Sequence, residues 1–170
     1  MIRPERPEDS TEIGEVVTAA FRGHGPQVAV FVERIRASEN YVADFALVAV
    51  DDSGVVGHVM LSFVGIEGGA REQLLVLTPM SVRPDRQLQG VGRALIEEVL
   101  ARADAAGEPA VLLEGIPAYY PRFGFELAGS VGFEHPSPEM PAEAFMVRRL
   151  STWDPSLAGR IVYPPYYDVL

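Results

Sequence analysis

The sequence contains no cysteine and no lysine. The first absence removes thiolate nucleophiles, cysteine-ligated zinc, redox pairs and any disulfide framework. The second makes all 14 basic residues arginine, which excludes Schiff-base chemistry and phosphate-clamping lysines. Nor is there an uninterrupted apolar run approaching the roughly 20 residues of a membrane helix. The first ten residues, MIRPERPEDS, are charged and proline-containing and show no signal-peptide pattern. Positive charge is scarce: 24 acidic side chains against 14 arginines give a net charge of −10. Such a surface repels phosphate backbones and anionic headgroups, so neither nucleic acid nor membrane is expected as the main partner. An amine-bearing small substrate is steered in more easily. A cytoplasmic location is the expectation.

What is present suffices for a core. The chain has 170 residues, 48% of them apolar, and a chain of roughly 150 residues buries about 70% of its unfolded surface. Ile2 and Arg3 suit a short opening strand. Asp9 or Ser10 offers an N-cap for a helix whose Ile13, Val16, Val17 and Ala20 share one face. FRGHGP (21–26) breaks it, and Gln27 to Ala37 repeats the pattern with Val28, Phe31, Val32 and Ile35. From Phe45 the period becomes that of strands. Ala46–Val50 and Val55–Val64 flank the turn DDSG as a hairpin, and Leu74–Val82 is a third strand stopped by Pro84. Gly90 to Ala106 carries a broad apolar stripe and is closed by Gly107. Val111–Leu113 then fits the return strand of a crossover beside Leu74–Val82. Strands around Phe125–Ala128 and Phe145–Leu150, with an edge strand in the tail, complete a single mixed α/β domain over residues 1–170.

The most informative stretch is Met80–Ala94, MSVRPDRQLQGVGRA. A strand enters a glycine-containing loop and a helix begins at once. Amides at a helix start lack partners, and the helix dipole adds partial positive charge there. Gly90 and Gly92 permit close approach of an anion such as a pyrophosphate. Arg86 and Arg93 flank the loop. A dinucleotide fingerprint fails because Leu95 stands where a small residue is needed, and the ATP/GTP loop fails for want of lysine. Read alone, the glycines equally suit a tight turn with no ligand.

The spacing Val82, Pro84, Gln87, Gly90, Gly92 resembles motif A of the GNAT N-acetyltransferases. Downstream, YYPRFGF, with Tyr120, Phe123, Gly124 and Phe125, resembles the family's second landmark. LTPMSVRP, QGVGRALI and YYPRFGF together are similar to the bacterial YhbS-like branch. The resemblance is strongest over Leu74–Ala128. It implies a mostly antiparallel sheet of six to seven strands flanked by helices, with a splayed central pair. It also implies acetyl-CoA as cosubstrate, with no metal, and transfer of acetyl to an amine of a small molecule or peptide by direct attack. Carried over by position, the backbone donors to the pyrophosphate are Leu88, Gln89, Gly90, Val91 and Gly92, with Arg93 beside them and Gln87 shaping the loop. Met80, Ser81 and Val82 would pair with the pantetheine arm, and an N–H near Val82 would polarise the acetyl carbonyl.

Tyr120 stands at the position of the family's general acid, with Tyr119 as the substitute and simple packing as the alternative. A phenol near pKa 10 can donate to a departing thiolate. Glu114, at the end of its strand, is the candidate base, against the reading of a solvated strand end. His58 reads as a satisfied, half-buried core histidine. His24 and His135 lie in loops without ligand spacing. The YhbS-like pattern has an Asp near the position of Ile116, whereas EGIPAYY has no polar side chain there. The polarity of the acceptor pocket is affected, not the backbone contacts to CoA. The rival reading is a non-catalytic acyl-CoA-binding or interaction domain; binding of another phosphorylated nucleotide at the same helix start is a third. Pro136–Pro141 and Tyr163–Tyr167 read as surface turns and edge packing, with a homodimer contact or the acceptor side as alternatives.

Overall fold

Apolar residues three and four apart build the first two helices, α1 (Ser10–Ala20) and α2 (Gly25–Arg36), and bury Ile13, Val16 and Val17 on one and Val28, Phe31, Val32 and Ile35 on the other. Asp9 precedes α1 but does not cap it by side chain. Its carboxylate instead takes both arms of Arg3, at 2.7 and 2.9 Å, and the amide of Arg6. Arg3 lies on β1 (Ile2–Pro4), so this bond ties the strand to the start of the helix.

The computed structural model describes all 170 residues and orders eight strands as β1-β2-β3-β4-β5-β7-β6, with β8 paired to β3. The remaining strands are β2 (Tyr41–Asp51), β3 (Gly54–Glu67), β4 (Gln73–Val82), β5 (Ala110–Glu114), β6 (Glu126–Leu127), β7 (Phe145–Arg149) and β8 (Arg160–Val162). The expected mixed, mostly antiparallel sheet is present, and its parallel pair is β4–β5, joined through α3 (Val91–Ala105). β2 and β3 form the long hairpin that DDSG announces, with Gly54 at φ +103 and Asp51 accepting from the Ser53 amide. The tail supplies its edge strand: β8 pairs Gly65–Glu67 of β3. No helix is long and apolar enough to cross a membrane.

The chain forms two compact units, and β3 and β4 contribute to both. The first comprises Met1–Ser62, Thr78–Arg102 and Pro165–Leu170. Its core joins the inner faces of α1 and α2 to Ala46, Val48, Val55 and Met60, with Tyr166, Tyr167 and Val169 of the tail packed on it. The Phe31 ring meets Tyr167 edge-on at 4.8 Å. Within this unit α3 lies directly on β3. A methyl group added at Gly57 would come within 2.9 Å of both Val91 and Leu95.

The second unit comprises Phe63–Leu77 and Ala103–Pro164. Leu74, Leu75, Val111, Leu112, Leu113, Met146 and Val147 are buried in it, with Phe123, Phe125, Phe133 and Phe145 around them. Registered pairing between β4 and β5 covers only Leu75↔Val111 and Val76↔Leu112. β4 continues without a β5 partner to Val82, and Pro79 has no N–H to offer a ladder.

Candidate active site

At the end of β4 the chain is held in a loop by its own polar groups. The amide of Arg83 donates to Val56 O of β3 at 2.8 Å, and the Gln87 side chain donates back to Val82 O at 3.1 Å. Gln89 does the same to Asp85 O at 3.2 Å. Between them Leu88 stands at φ +62 and Gly90 at φ +89, while Gln89 keeps a negative φ. The sign of φ thus alternates over Leu88, Gln89 and Gly90, just before the first turn of α3. A leucine in the left-handed region costs about 1–2 kcal/mol, and its side chain is fully exposed. The conformation therefore serves the backbone, not the packing of Leu88.

The loop leads directly into α3. The first intrahelical bond of that helix runs from the Ala94 amide to Gly90 O at 3.0 Å, so the amides of Val91, Gly92 and Arg93 precede the ladder. Gln87 to Gly90 are exposed throughout. The arginines nearby are partly engaged: Arg86 pairs with Asp51 and Asp85, and Arg93 with Glu97. Upstream, Thr78, Met80 and Val82 alternate as half-buried positions with buried Pro79 and Ser81, and the Ser81 hydroxyl has no hydrogen-bond partner. Beside Thr78 and Pro79 lies a cavity of about 530 Å³ whose other walls include Phe21, His24, Gln27 and Phe31. No Asp or Glu side chain lines it.

His58, on the same unit, is fully buried rather than half-buried, and its Nε2 lies 2.9 Å from Glu5. Glu5 also receives Arg36 through two nitrogens and the Tyr41 hydroxyl. Burial alone would raise the Glu5 carboxyl, but bonds from His58 and Arg36 hold it down at about 2. Burial, and then the Glu5 charge, pushes the Tyr41 phenol up to about 12. The reading of His58 as satisfied and half-buried holds only in part: Nε2 is paired with Glu5, but the ring is fully buried and Nδ1 has no hydrogen-bond partner.

In the second unit Tyr120 sits at the start of a 3₁₀ turn, Tyr120–Phe123, closed by Gly124 at φ +83. Its ring meets Tyr119 edge-on at 5.0 Å and Phe125 at 5.8 Å. A methyl group at Gly115 would lie 2.5 Å from it, so this glycine is what lets the ring lie against the chain. Burial, and then Tyr119, pushes the Tyr120 phenol up to about 12, so it remains protonated at neutral pH.

Glu114, one residue before that glycine, is not a bare strand end. Its Oε1 is shared by His135 Nε2 and the Tyr163 hydroxyl, and those two donors are themselves 3.3 Å apart. Sequence reasoning missed this group, because 21 and 49 residues separate His135 and Tyr163 from Glu114. No spacing rule signals a cluster made by a loop and a tail. Ile116, the non-polar residue of EGIPAYY, is exposed. No group of three or more His, Asp or Glu side chains is placed to hold a metal ion.

The chain as a whole is similar to known proteins. Residues 1–128 match the family model described as an acetyltransferase (GNAT) domain. The N-acetyltransferase YhbS of Escherichia coli K12 is 34% identical over 171 residues, covering 99% of this chain and 96% of the relative. YjhQ of the same organism is 31% identical over 90% of this chain and 86% of its own. The crystal structure of E. coli YhbS in complex with CoA superposes with a TM-score of 0.87 at 32% identity, over 99% of this chain and 91% of that one. A GNAT acetyltransferase from Brucella melitensis in complex with acetyl-CoA gives 0.79 at 34% identity, over 99% and 97%. The chain belongs to the GNAT acetyltransferases.

Proposed function

We propose that the chain transfers the acetyl group of acetyl-CoA to a primary amine of a small molecule or a peptide, in the cytoplasm and without a covalent enzyme intermediate. The observation that carries this reading is the loop of alternating hand, Leu88–Gln89–Gly90, set at the free amides of α3. The two relatives solved with CoA and acetyl-CoA support it.

Acetyl-CoA, when bound, supplies an activated thioester. The amides of Leu88, Gln89, Gly90, Val91 and Gly92 receive the pyrophosphate at the positive end of the helix, with Arg93 beside them and Gln87 fixing the loop. The backbone of Met80, Ser81 and Val82, beyond the last registered pair with β5, accepts the pantetheine arm as a strand would. An N–H of that stretch stabilises the oxyanion. The cavity beside Thr78 and Pro79 is of a size for a small-molecule body or one side chain of a peptide.

Glu114 takes one proton from the acceptor ammonium. The freed lone pair forms the C–N bond and the C–S bond breaks. Tyr120 gives its proton to the thiolate and recovers one from the new amide nitrogen, and Glu114 releases its own to solvent. An ammonium and a thioester thus become an amide, a thiol and one proton. The high pKa of Tyr120 keeps the donor loaded, and the proton shed by the acylated nitrogen reloads it.

The test is release of free CoA thiol from acetyl-CoA on addition of primary amines. Turnover with at least one amine, and none without, is the expected result. CoA binding without turnover by any amine would favour the non-catalytic acyl-CoA-binding reading.

A further inference from the structure

We infer that Glu114, His135 and Tyr163 form the anchor for the acceptor's ammonium group, with His135 and Tyr163 as positioning residues. The inference rests on the acetyltransferase reading above and deepens it, since it assigns the site that receives the amine.

The Ser137 amide donates to His135 Nδ1 at 2.9 Å, a bond that favours the ring proton on Nε2 over the longer contact of Nδ1 to Ser137 O at 3.3 Å. Nε2–H then donates to Glu114 Oε1. The ring cannot swing freely, because Phe145 meets it edge-on at 5.0 Å and Tyr163 packs against it at 5.5 Å. Tyr163 donates its hydroxyl to the same Oε1. On the strand side, the amide of Gly115 donates to Ala144 O at 2.9 Å and holds the backbone next to Glu114.

Both side-chain donors converge on one oxygen, and Oε2 takes part in neither bond. The Glu114 side chain retains 38% exposure although two neighbours hold it, while His135 keeps only 10%. A carboxylate fixed at one oxygen and open to solvent presents the other as a directed acceptor. A primary ammonium fits it: compact, cationic and equipped with three N–H donors. The location suits the chemistry, because the Tyr120 ring lies against Gly115, the next residue. The proposed acid and the ammonium anchor therefore share the carboxyl end of β5.

A purely structural tie, holding the His135 loop and the tail to β5, would use the same bonds. The two roles separate in binding to the protein saturated with CoA, which allows no turnover. The probes are n-butylamine, phenethylamine and spermidine, with phenethyl alcohol as the uncharged control, measured by calorimetry. We expect Glu114→Gln to weaken binding of the amine that binds wild type best by about tenfold or more, the scale of a charge-assisted hydrogen bond. His135→Ala and Tyr163→Phe should weaken it about threefold or more, and their double variant no further than Glu114→Gln. His135→Gln, which restores an N–H donor, should recover most of the loss. The alcohol should not distinguish wild type from Glu114→Gln, and CoA affinity should stay constant throughout. Unchanged amine affinity in Glu114→Gln would overturn the inference, as would failure of all three amines to bind wild type. In either case retained CoA binding leaves the cofactor reading standing, whereas lost CoA binding in wild type removes that reading itself.

Discussion

Glu5 Oε2 and His58 Nε2 meet 2.9 Å apart inside the first unit, joining the chain just after β1 to the middle of β3. Arg36 closes the same carboxylate from α2. The folded carboxyl titrates near 2 against an ordinary value of 4.5, so the unfolded chain takes up the proton first as pH falls. The stabilisation is complete above about pH 4.5 and is lost progressively toward pH 2. It amounts to about 3 kcal/mol. Denaturant titrations between pH 7 and pH 2 should show this loss in wild type, and Glu5→Gln should be less stable at neutral pH and flatter with pH.

Gly90 separates geometry from charge. A side chain there meets nothing within 4 Å, but φ is +89. Gly90→Ala and Gly90→Glu therefore share a backbone penalty of about 1–2 kcal/mol, and only the second sets a carboxylate at the proposed pyrophosphate. Acetyl-CoA affinity should fall at least about tenfold further in Gly90→Glu than in Gly90→Ala. Equal affinities in the two folded variants would contradict the loop assignment.

Tyr120→Phe removes one hydroxyl and leaves the ring against Gly115. We expect kcat to fall about a hundredfold or more while the dissociation constant of acetyl-CoA is unchanged. Steady-state kinetics with a saturating amine, together with calorimetry, measure the two separately. An unchanged kcat would transfer the acid role elsewhere, with Tyr119 the first residue to examine.

Gly57 couples the core to the loop. Its missing side chain admits Val91 and Leu95 of α3, each of which would lie 2.9 Å from an added methyl group. Leu95 is fully buried and cannot withdraw freely. Gly57→Ala should cost about 1–3 kcal/mol by overpacking. Because Val91 is the first residue of α3, the displacement should also weaken acetyl-CoA binding. Thermal melts with and without ligand report both effects.

Much of this was legible from local pattern. The helical stripes of Ile13, Val16 and Val17 and of Val28, Phe31, Val32 and Ile35 became buried faces, because burial selects the spacing that the helix dictates. DDSG and Val82-x-Pro84 marked a turn and a strand end for equally local reasons. The loop 87–92 was legible in part: Gly90 takes a positive φ, whereas Gly92 already lies inside α3, and Leu88 in the left-handed region left no sign. Asp9 takes the N-cap position as read but makes no cap bond: capping chemistry is read from neighbours in sequence, while Arg3 on the adjacent strand claimed the carboxylate. Glu114, His135 and Tyr163 were out of reach for a related reason. Tertiary structure alone brings a strand end, a loop and a tail to one oxygen.

Binding of acetyl-CoA is the property on which the proposed chemistry depends most directly. A thermal-shift titration with acetyl-CoA, CoA, ATP and NAD side by side tests it. A ligand selective for the native state adds about 2.7 kcal/mol at a hundredfold excess over its Kd, which for a domain of this size raises Tm by about 5–10 °C. We predict that rise with acetyl-CoA and CoA and none with ATP or NAD. A folded protein that shows no shift with either CoA species, or prefers ATP or NAD, would contradict the account.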